Sequence, residues 1–427
     1  MKHIALVAAI LLAAPAGFAY TITTDTLWSG NRIATESVTV ADGATLRIDA
    51  GTTVQLPTDA ILRVEGRLLA EGTAAAPIVF TRLGHAGGTG RWGKIRFSVA
   101  DGVSRLVHCR LWYANGGVQS AEGNEGIVST RRSHVVVEDF DGQRFVGDVF
   151  NIWEQSTATL RRCYIGFGDN TASSGLGEGV HGDGSDIEED ACTFSWRLGR
   201  CDASDIQGQG HRVWVHDCRF LGSPLDDGCD FDNCNGTVER CVFMNYLGQD
   251  PGWEGRCGGT TMNEASAPLV RFNLYINCRQ GIISKGETRP TITNCTFINC
   301  FNDIAAYEAG EPSPRQVGHP TVRNCIMWGT TSQTLVLGVD SGTASRSTVD
   351  LDWCDVASTE TLHAGDTRTT IGAHILSADP LFIDGEDGGN GYDAHLRAGS
   401  PCIRAGENGV DLGAFPFASA IARWRYY

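Results

Sequence analysis

One short motif returns through most of this 427-residue chain. Val215-His216-Asp217-Cys218 is followed by Val238-Glu239-Arg240-Cys241, Val270-Arg271-Phe272-Asn273, Ile292-Thr293-Asn294-Cys295, Val322-Arg323-Asn324-Cys325 and Leu351-Asp352-Trp353-Cys354. The successive Cys/Asn positions lie 23, 32, 22, 30 and 29 residues apart. Upstream, Leu106-Val107-His108-Cys109 and Leu160-Arg161-Arg162-Cys163 fit the same pattern. An apolar residue stands two places later in the five units from Cys218 to Cys325: Phe220, Phe243, Tyr275, Phe297 and Met327. A period of this length marks a solenoid or array. If each unit is one strand-bearing coil, equivalent positions stack about 4.8 Å apart. A solenoid absorbs such a length in one body.

The text before the repeat is also strand-like. Thr45-Leu46-Arg47-Ile48, Ile61-Leu62-Arg63-Val64 and Pro77-Ile78-Val79-Phe80-Thr81 alternate apolar and polar residues between glycine-bearing turns. This succession resembles the opening coils of right-handed parallel β-helix proteins, the pectin-lyase-like fold. The expectation is an all-β, right-handed parallel β-helix over residues 20–356. Residues 357–417 are expected to supply closing coils and a C-terminal cap over the last coil, with a tail over 418–427. Segments such as Asp379-Pro380-Leu381-Phe382 and Ser400-Pro401-Cys402 resemble the closing segments of secreted β-helix proteins. Gly166 to Asp190, rich in Gly, Asp and Glu, reads as the largest insertion between units, a loop acting as a lid or second ion site.

The start carries Lys2, an apolar run from Ile4 to Ala14, and small residues at Gly17 and Ala19. That order is expected of a secretory signal over 1–19, too short to span a bilayer. Export permits disulfides. The fifteen cysteines have two readings: a buried thiol ladder, because Cys is small and readily buried, or disulfides between ladder neighbours such as Cys218 and Cys241, Cys295 and Cys325, or Cys278 and Cys300. No Cys spacing indicates zinc. The formal charge of −16 opposes binding to nucleic acid or anionic membranes. It also opposes polyanionic glycans unless a bound cation or a local basic patch intervenes.

The densest chemistry lies in Asp226-Asp227-Gly228-Cys229-Asp230-Phe231-Asp232. Closely spaced carboxylates supply the six to eight oxygens that Ca²⁺ takes. Asp226-Asp227-Gly228-Cys229-Asp230 resembles the "D-D-G-x-D" element of the family nine polysaccharide lyases, which are β-helix pectate lyases. The resemblance implies that Asp226, Asp227 and Asp230 hold Ca²⁺ with Asp202 or Asp205 from the coil before, and that a lysine abstracts the proton beside a uronate carboxylate. Asp232 joins the candidate ligands by proximity. The lysine departs from the pattern. Arg256 stands in the next coil and Lys285 one coil later, so these two are the candidate bases. Laying Asp232, Gly259, Lys285 and Tyr307 in one column puts Asp232 roughly 10 Å from Lys285, although a one-residue slip would turn side chains inward. Ile282-Ile283-Ser284-Lys285 also faintly resembles the base-bearing strand of β-helix alginate lyases, without their companion arginine. The polygalacturonase pattern is not met.

Trp253, Tyr246, Tyr307 and Trp328 are candidates for a sugar-stacking wall, with some of them expected in the core; Trp253 and Tyr307 are the candidate substrate-binding aromatics, and Arg289 is a candidate for holding a second uronate. Bland readings stand beside these. Asp caps turn amides, Lys285 can pair with Glu287, and His211 and His216 read as surface residues. The function expected is a secreted carbohydrate-active protein, a Ca²⁺-dependent polysaccharide lyase acting on a uronate glycan by β-elimination. The alternative is a non-catalytic extracellular β-helix that binds glycans or protein partners.

Overall fold

A computed structural model describes residues 20–117, 126–166, 177–195, 201–223, 225–248, 257–306, 317–337, 347–362, 368–384 and 393–417. The 1–19 segment, the tail, Trp253, Arg256 and Tyr307 lie outside these residues. Among the described residues, no helix is long and apolar enough to cross a membrane.

Among the described residues, three parallel sheets of 13, 14 and 14 strands run the length of the molecule, and the neighbours within each sheet are every third strand in sequence up to the final pair of each 14-stranded sheet. Each circuit of the chain therefore visits all three sheets, which is a parallel β-helix. Sheet I contains Phe150–Trp153, Val180–Asp183, Ser204–Gln207, Cys229–Asp232, Gly258–Asn263 and Gln280–Ser284. Sheet II contains Asp186–Asp190, Val213–His216 and Thr237–Glu239, and sheet III contains Val242–Met244, Leu274–Ile276 and Thr296–Ile298. Inward residues of all three form one apolar core.

The repeated motif is the corner between sheets II and III. The residue before each ladder position has a left-handed backbone: Asp217 at φ 55°, Arg240 at 53°, Phe272 at 56°, Asn294 at 51°, Asn324 at 56° and Trp353 at 54°. One such residue per coil turns the chain, at a cost on the order of 1 kcal/mol for a side-chain-bearing residue. The turn takes the next amide out of the strand hydrogen-bond pattern, and the ladder side chain one coil on receives it. Cys192 N–H donates to Cys218 Sγ (3.3 Å), Cys241 N–H to Asn273 Oδ1 (2.9 Å), Cys295 N–H to Cys325 Sγ (3.4 Å) and Cys325 N–H to Cys354 Sγ (3.4 Å). The thiols donate in turn to carbonyls of the preceding coil, as Cys218 does to Glu189. Asn273 reproduces both bonds, its Nδ2 donating to Val238 O at 2.9 Å. All fifteen cysteines are free and buried, which selects the ladder over the disulfides.

The residues two places on form an internal stack, Phe194–Phe220–Phe243–Tyr275–Phe297, with ring centroids 4.5–5.0 Å apart. Glycine is required opposite it. A Cβ on Gly281 would stand 2.5 Å from Phe297, and one on Gly259 would stand 2.6 Å from Tyr275.

Two expectations need correction. Gly166 to Asp190 is not a single inserted loop: Val180–Asp183 and Asp186–Asp190 are strands of sheets I and II, followed by Cys192 at the ladder position. Its acidic residues mask the repeat, because Asp186, Glu188 and Asp190 face outward while Ile187 and Glu189 point in. The coil between Cys109 and Cys163 was hidden likewise, since Phe140 takes the ladder position after Asp139 at φ 52°. In the closing segment, Leu362 joins the main core and Thr369–Ile371 and Ile375–Leu376 extend sheets II and III. From Phe382 onward the chain folds back along the outer flank of sheet III. There Phe382, Leu396, Leu412 and Phe415 pack on Leu274, Ile276, Ile298 and Ile326.

Candidate functional site

Alternation along sheet I turns every second residue outward. The register places Asn151, His181, Asp205, Asp230 and Thr261 in one outward column, and Trp153, Asp183, Gln207, Asp232 and Asn263 in the next. A third column, at the corner where the chain enters sheet I, contains Asp148, Glu178, Asp202 and Asp227. Its carboxylates receive amides of the following coil: Asp148 from Glu178 at 3.1 Å, Asp202 from Asp227 at 2.9 Å, and Asp227 from Gly258 at 2.5 Å. Capping of turn amides by Asp is therefore realised here.

These same residues gather charge. Asp202, Asp226 and Asp227 each offer an oxygen, all within 4.8 Å of one another. Asp205, Asp230 and Asp232 adjoin them, and each has a buried Oδ1 with no hydrogen-bond partner. Burial, then Asp226, pushes Asp227 up to about 7, against the pull of Lys285 and the Gly258 amide. Burial, then Asp205, pushes Asp232 up to about 6. Asp202 is raised by burial and by Asp226, Asp227, Asp230 and Asp205. Asp230 is raised by burial, although Lys285 opposes it. Crowded, desolvated carboxylates with unused oxygens suit a hard divalent cation. By that test the residues fit Ca²⁺.

Lys285 follows Ser284, which pairs with Met262, which pairs with Phe231. It thus continues the Asp232–Asn263 column two coils on, and its charge is felt at Asp227, Asp230 and Asp232. Gly259 does not belong to that column. Asn263 is opposite Asp232, because the longer connection before Gly258 displaces the strand by four residues relative to the sequence alignment. Arg289 is two-thirds exposed on the turn beyond Lys285 and faces Glu287 at 3.7 Å, with His319 on the same carboxylate at 3.8 Å. The aromatic wall loses two members. Tyr246 is in the core, and Trp328 packs against the returning C-terminal segment.

Glu178 and His181 fall in the acidic stretch read as a loop serving as a lid or second ion site, and sequence alone gives no signal that His181 joins Asp205. His181 Nδ1 stands 2.6 Å from Glu178 Oε2 and 3.4 Å from Asp205 Oδ2. Burial disfavours its charge, but Asp205 and Glu178 outweigh that and raise it to about 11. His216, expected at the surface, is buried on sheet II. It stacks on Trp214 with centroids 3.8 Å apart and sits within 2.8 Å of Asp217.

No curated protein matches the chain. Solved structures with similar coordinates include a pectate lyase (14% identity, 89% of each chain, TM-score 0.39) and a rhamnogalacturonan lyase (15%, 89% of each, 0.33). A polysaccharide lyase of Pseudopedobacter saltans matches at 10% identity over 86% of this chain and 95% of its own, with a TM-score of 0.34. The family described as "right handed beta helix region" matches residues 123–348. That is more than half of the chain, and the protein belongs to the right-handed β-helix family.

Proposed function

We propose that this protein is a carbohydrate-active β-helix, a Ca²⁺-dependent lyase of a uronate-containing polysaccharide. The observation that carries the reading is the strip of carboxylates from Asp202 to Asp232 on one outer face, with Lys285 continuing the Asp232 column two coils on. Asp202, Asp226, Asp227 and Asp230 would hold the ion, with Asp205 and Asp232 beside them. When bound, Ca²⁺ supplies positive charge that offsets the uronate carboxylate and so acidifies the adjacent C5–H. Lys285 would accept the C5 proton as the C4–O4 bond breaks and the C4=C5 double bond forms, with O4 leaving and taking a proton. Arg256 is the alternative base, Arg289 the candidate for holding a second uronate, and Trp253 and Tyr307 the candidates for sugar stacking. The N-terminal pattern of basic start and apolar run supports action outside the cytoplasm.

A second reading has its own support. Asp202 and Asp227 each spend an oxygen on a turn amide, so part of the strip serves the coil itself. A non-catalytic β-helix that binds glycans through sheet I would need no base. Ultraviolet absorbance of new unsaturated uronate ends, on a panel of uronate polysaccharides with and without Ca²⁺, separates the two. A Ca²⁺-dependent rise supports the lyase. Glycan retention without any rise supports the binding protein.

A further inference from the structure

His181 and Asp205 are register neighbours on sheet I, and Asp205 is in turn the register neighbour of Asp230. His181 Nδ1 reaches Glu178 Oε2 at 2.6 Å and Asp205 Oδ2 at 3.4 Å. Glu178 is fixed behind it: its N–H donates to Asp148 Oδ1 at 3.1 Å, and Asp148 Oδ2 accepts from Asn151 Nδ2 at 3.3 Å. The chain of contacts ends at Asp205 Oδ1, which is buried and has no hydrogen-bond partner, as is Asp230 Oδ1 in the next coil. One oxygen of Asp205 is thus tied toward the N-terminal coils and the other is unspent. Leaving a buried carboxylate oxygen unpartnered is destabilising, and a ligand on this face would remove that cost.

We propose that Glu178 and His181 are positioning residues that clamp Asp205, so that its second oxygen is presented to a cation held among Asp202, Asp226, Asp227 and Asp230. This rests on reading the strip as a cation site. Glu178, His181 and Asp205 also lie close enough together to ligate a metal themselves. The His181–Glu178 distance is that of a hydrogen bond, however, and a metal would have to displace its proton. The clamp explains both that contact and the unspent oxygen. Partners that orient ligands typically alter metal affinity 10–100-fold when removed.

The test uses Tb³⁺ as a luminescent substitute for Ca²⁺ on the full chain, with Ca²⁺ competition for affinity and decay in H₂O against D₂O to count bound waters. Wild type is expected to bind both ions. H181A is expected to lose at least tenfold in affinity and to gain about one water on the ion as Asp205 swings away. H181N keeps an N–H near the Nδ1 position and should stay within about threefold of wild type. If H181A does not fold, H181Q, which fills the space but moves its donor outward, takes its place with the same expected loss. Unchanged affinity and hydration in H181A overturns the clamp while leaving the cation site standing. Absence of Tb³⁺ and Ca²⁺ binding in wild type overturns both. Zn²⁺ binding that requires His181 and Glu178 also overturns the clamp, by making these residues ligands.

Discussion

Asp202 Oδ1 accepts the backbone N–H of Asp227, one coil further along sheet I, at 2.9 Å. Asp227 does the same for Gly258, while oxygens of both acids lie within 4.8 Å of each other and of Asp226. The same side chains brace the coils and concentrate negative charge on one face. Their structural and ligand roles can be separated by changing charge without removing the acceptor.

Asp227→Asn keeps an oxygen for the Gly258 amide and removes a charge that burial and Asp226 oppose. Metal-free D227N should melt at or above the wild-type temperature at pH 8. Its Ca²⁺ affinity should fall more than about tenfold, because a carboxylate ligand is lost. Calorimetric titration and thermal melts check both halves.

The pH dependence without metal follows from carboxyls raised in the folded state: Asp232 to about 6, Asp227 to about 7 and the core residue Glu189 to about 8. In the unfolded chain such groups ionise near 4. Between those limits the unfolded state binds fewer protons, so stability falls as pH rises from about 4 to 8. Melting temperature in a chelator should decline across that window. Added Ca²⁺ should stabilise most at its alkaline end, where the free cluster is ionised. Glu189, wholly buried with Ser204 Oγ donating to it at 2.7 Å, contributes through its own burial, so E189Q should flatten part of the decline. A metal-free melting temperature that rises over the same window would contradict this.

The thiol ladder predicts a labelling pattern. All fifteen sulfurs are buried and unbridged. Iodoacetamide should therefore add nothing to the native protein and fifteen labels after unfolding without reductant, read by intact mass.

Asn273 tests why the ladder accepts only Cys or Asn at most of its positions. Asn273→Leu leaves the Cys241 amide and the Val238 carbonyl without the partners they have now, and should cost about 3 kcal/mol. Asn273→Cys restores the neighbouring pattern and should stay within about 1 kcal/mol of wild type. Denaturant unfolding measures both.

The fold was legible because the corner imposes local chemistry. A left-handed residue followed by a small side chain that both donates and accepts leaves a visible Cys/Asn period, and the inner aromatic stack leaves a second one two places on. Where the corner residue is Ala191 and the coil is acidic, or where Phe140 replaces the cysteine, the period is invisible and two coils were missed. The acidic centre was legible as a cluster, since Asp226 to Asp232 are adjacent in sequence. Its extension to Glu178 and His181 was not, because only register brings residues more than twenty positions apart into one column. The Asp232–Lys285 column survived although Gly259 was misplaced. Alternation sets strand phase on both sides of the connection before Gly258, but nothing in the sequence marks where the strand resumes.

The most direct test of the central claim is the uronate absorbance assay run on wild type, Lys285→Ala and Lys285→Arg in excess Ca²⁺, with Ca²⁺ binding measured on the same samples. The account predicts a Ca²⁺-dependent rise in wild type and a rate at least about a hundredfold lower in K285A, with ion binding retained. A wild-type rise that survives in K285A would remove Lys285 as the base. Ca²⁺ binding with no rise on any uronate glycan would contradict the lyase and leave the glycan-binding β-helix.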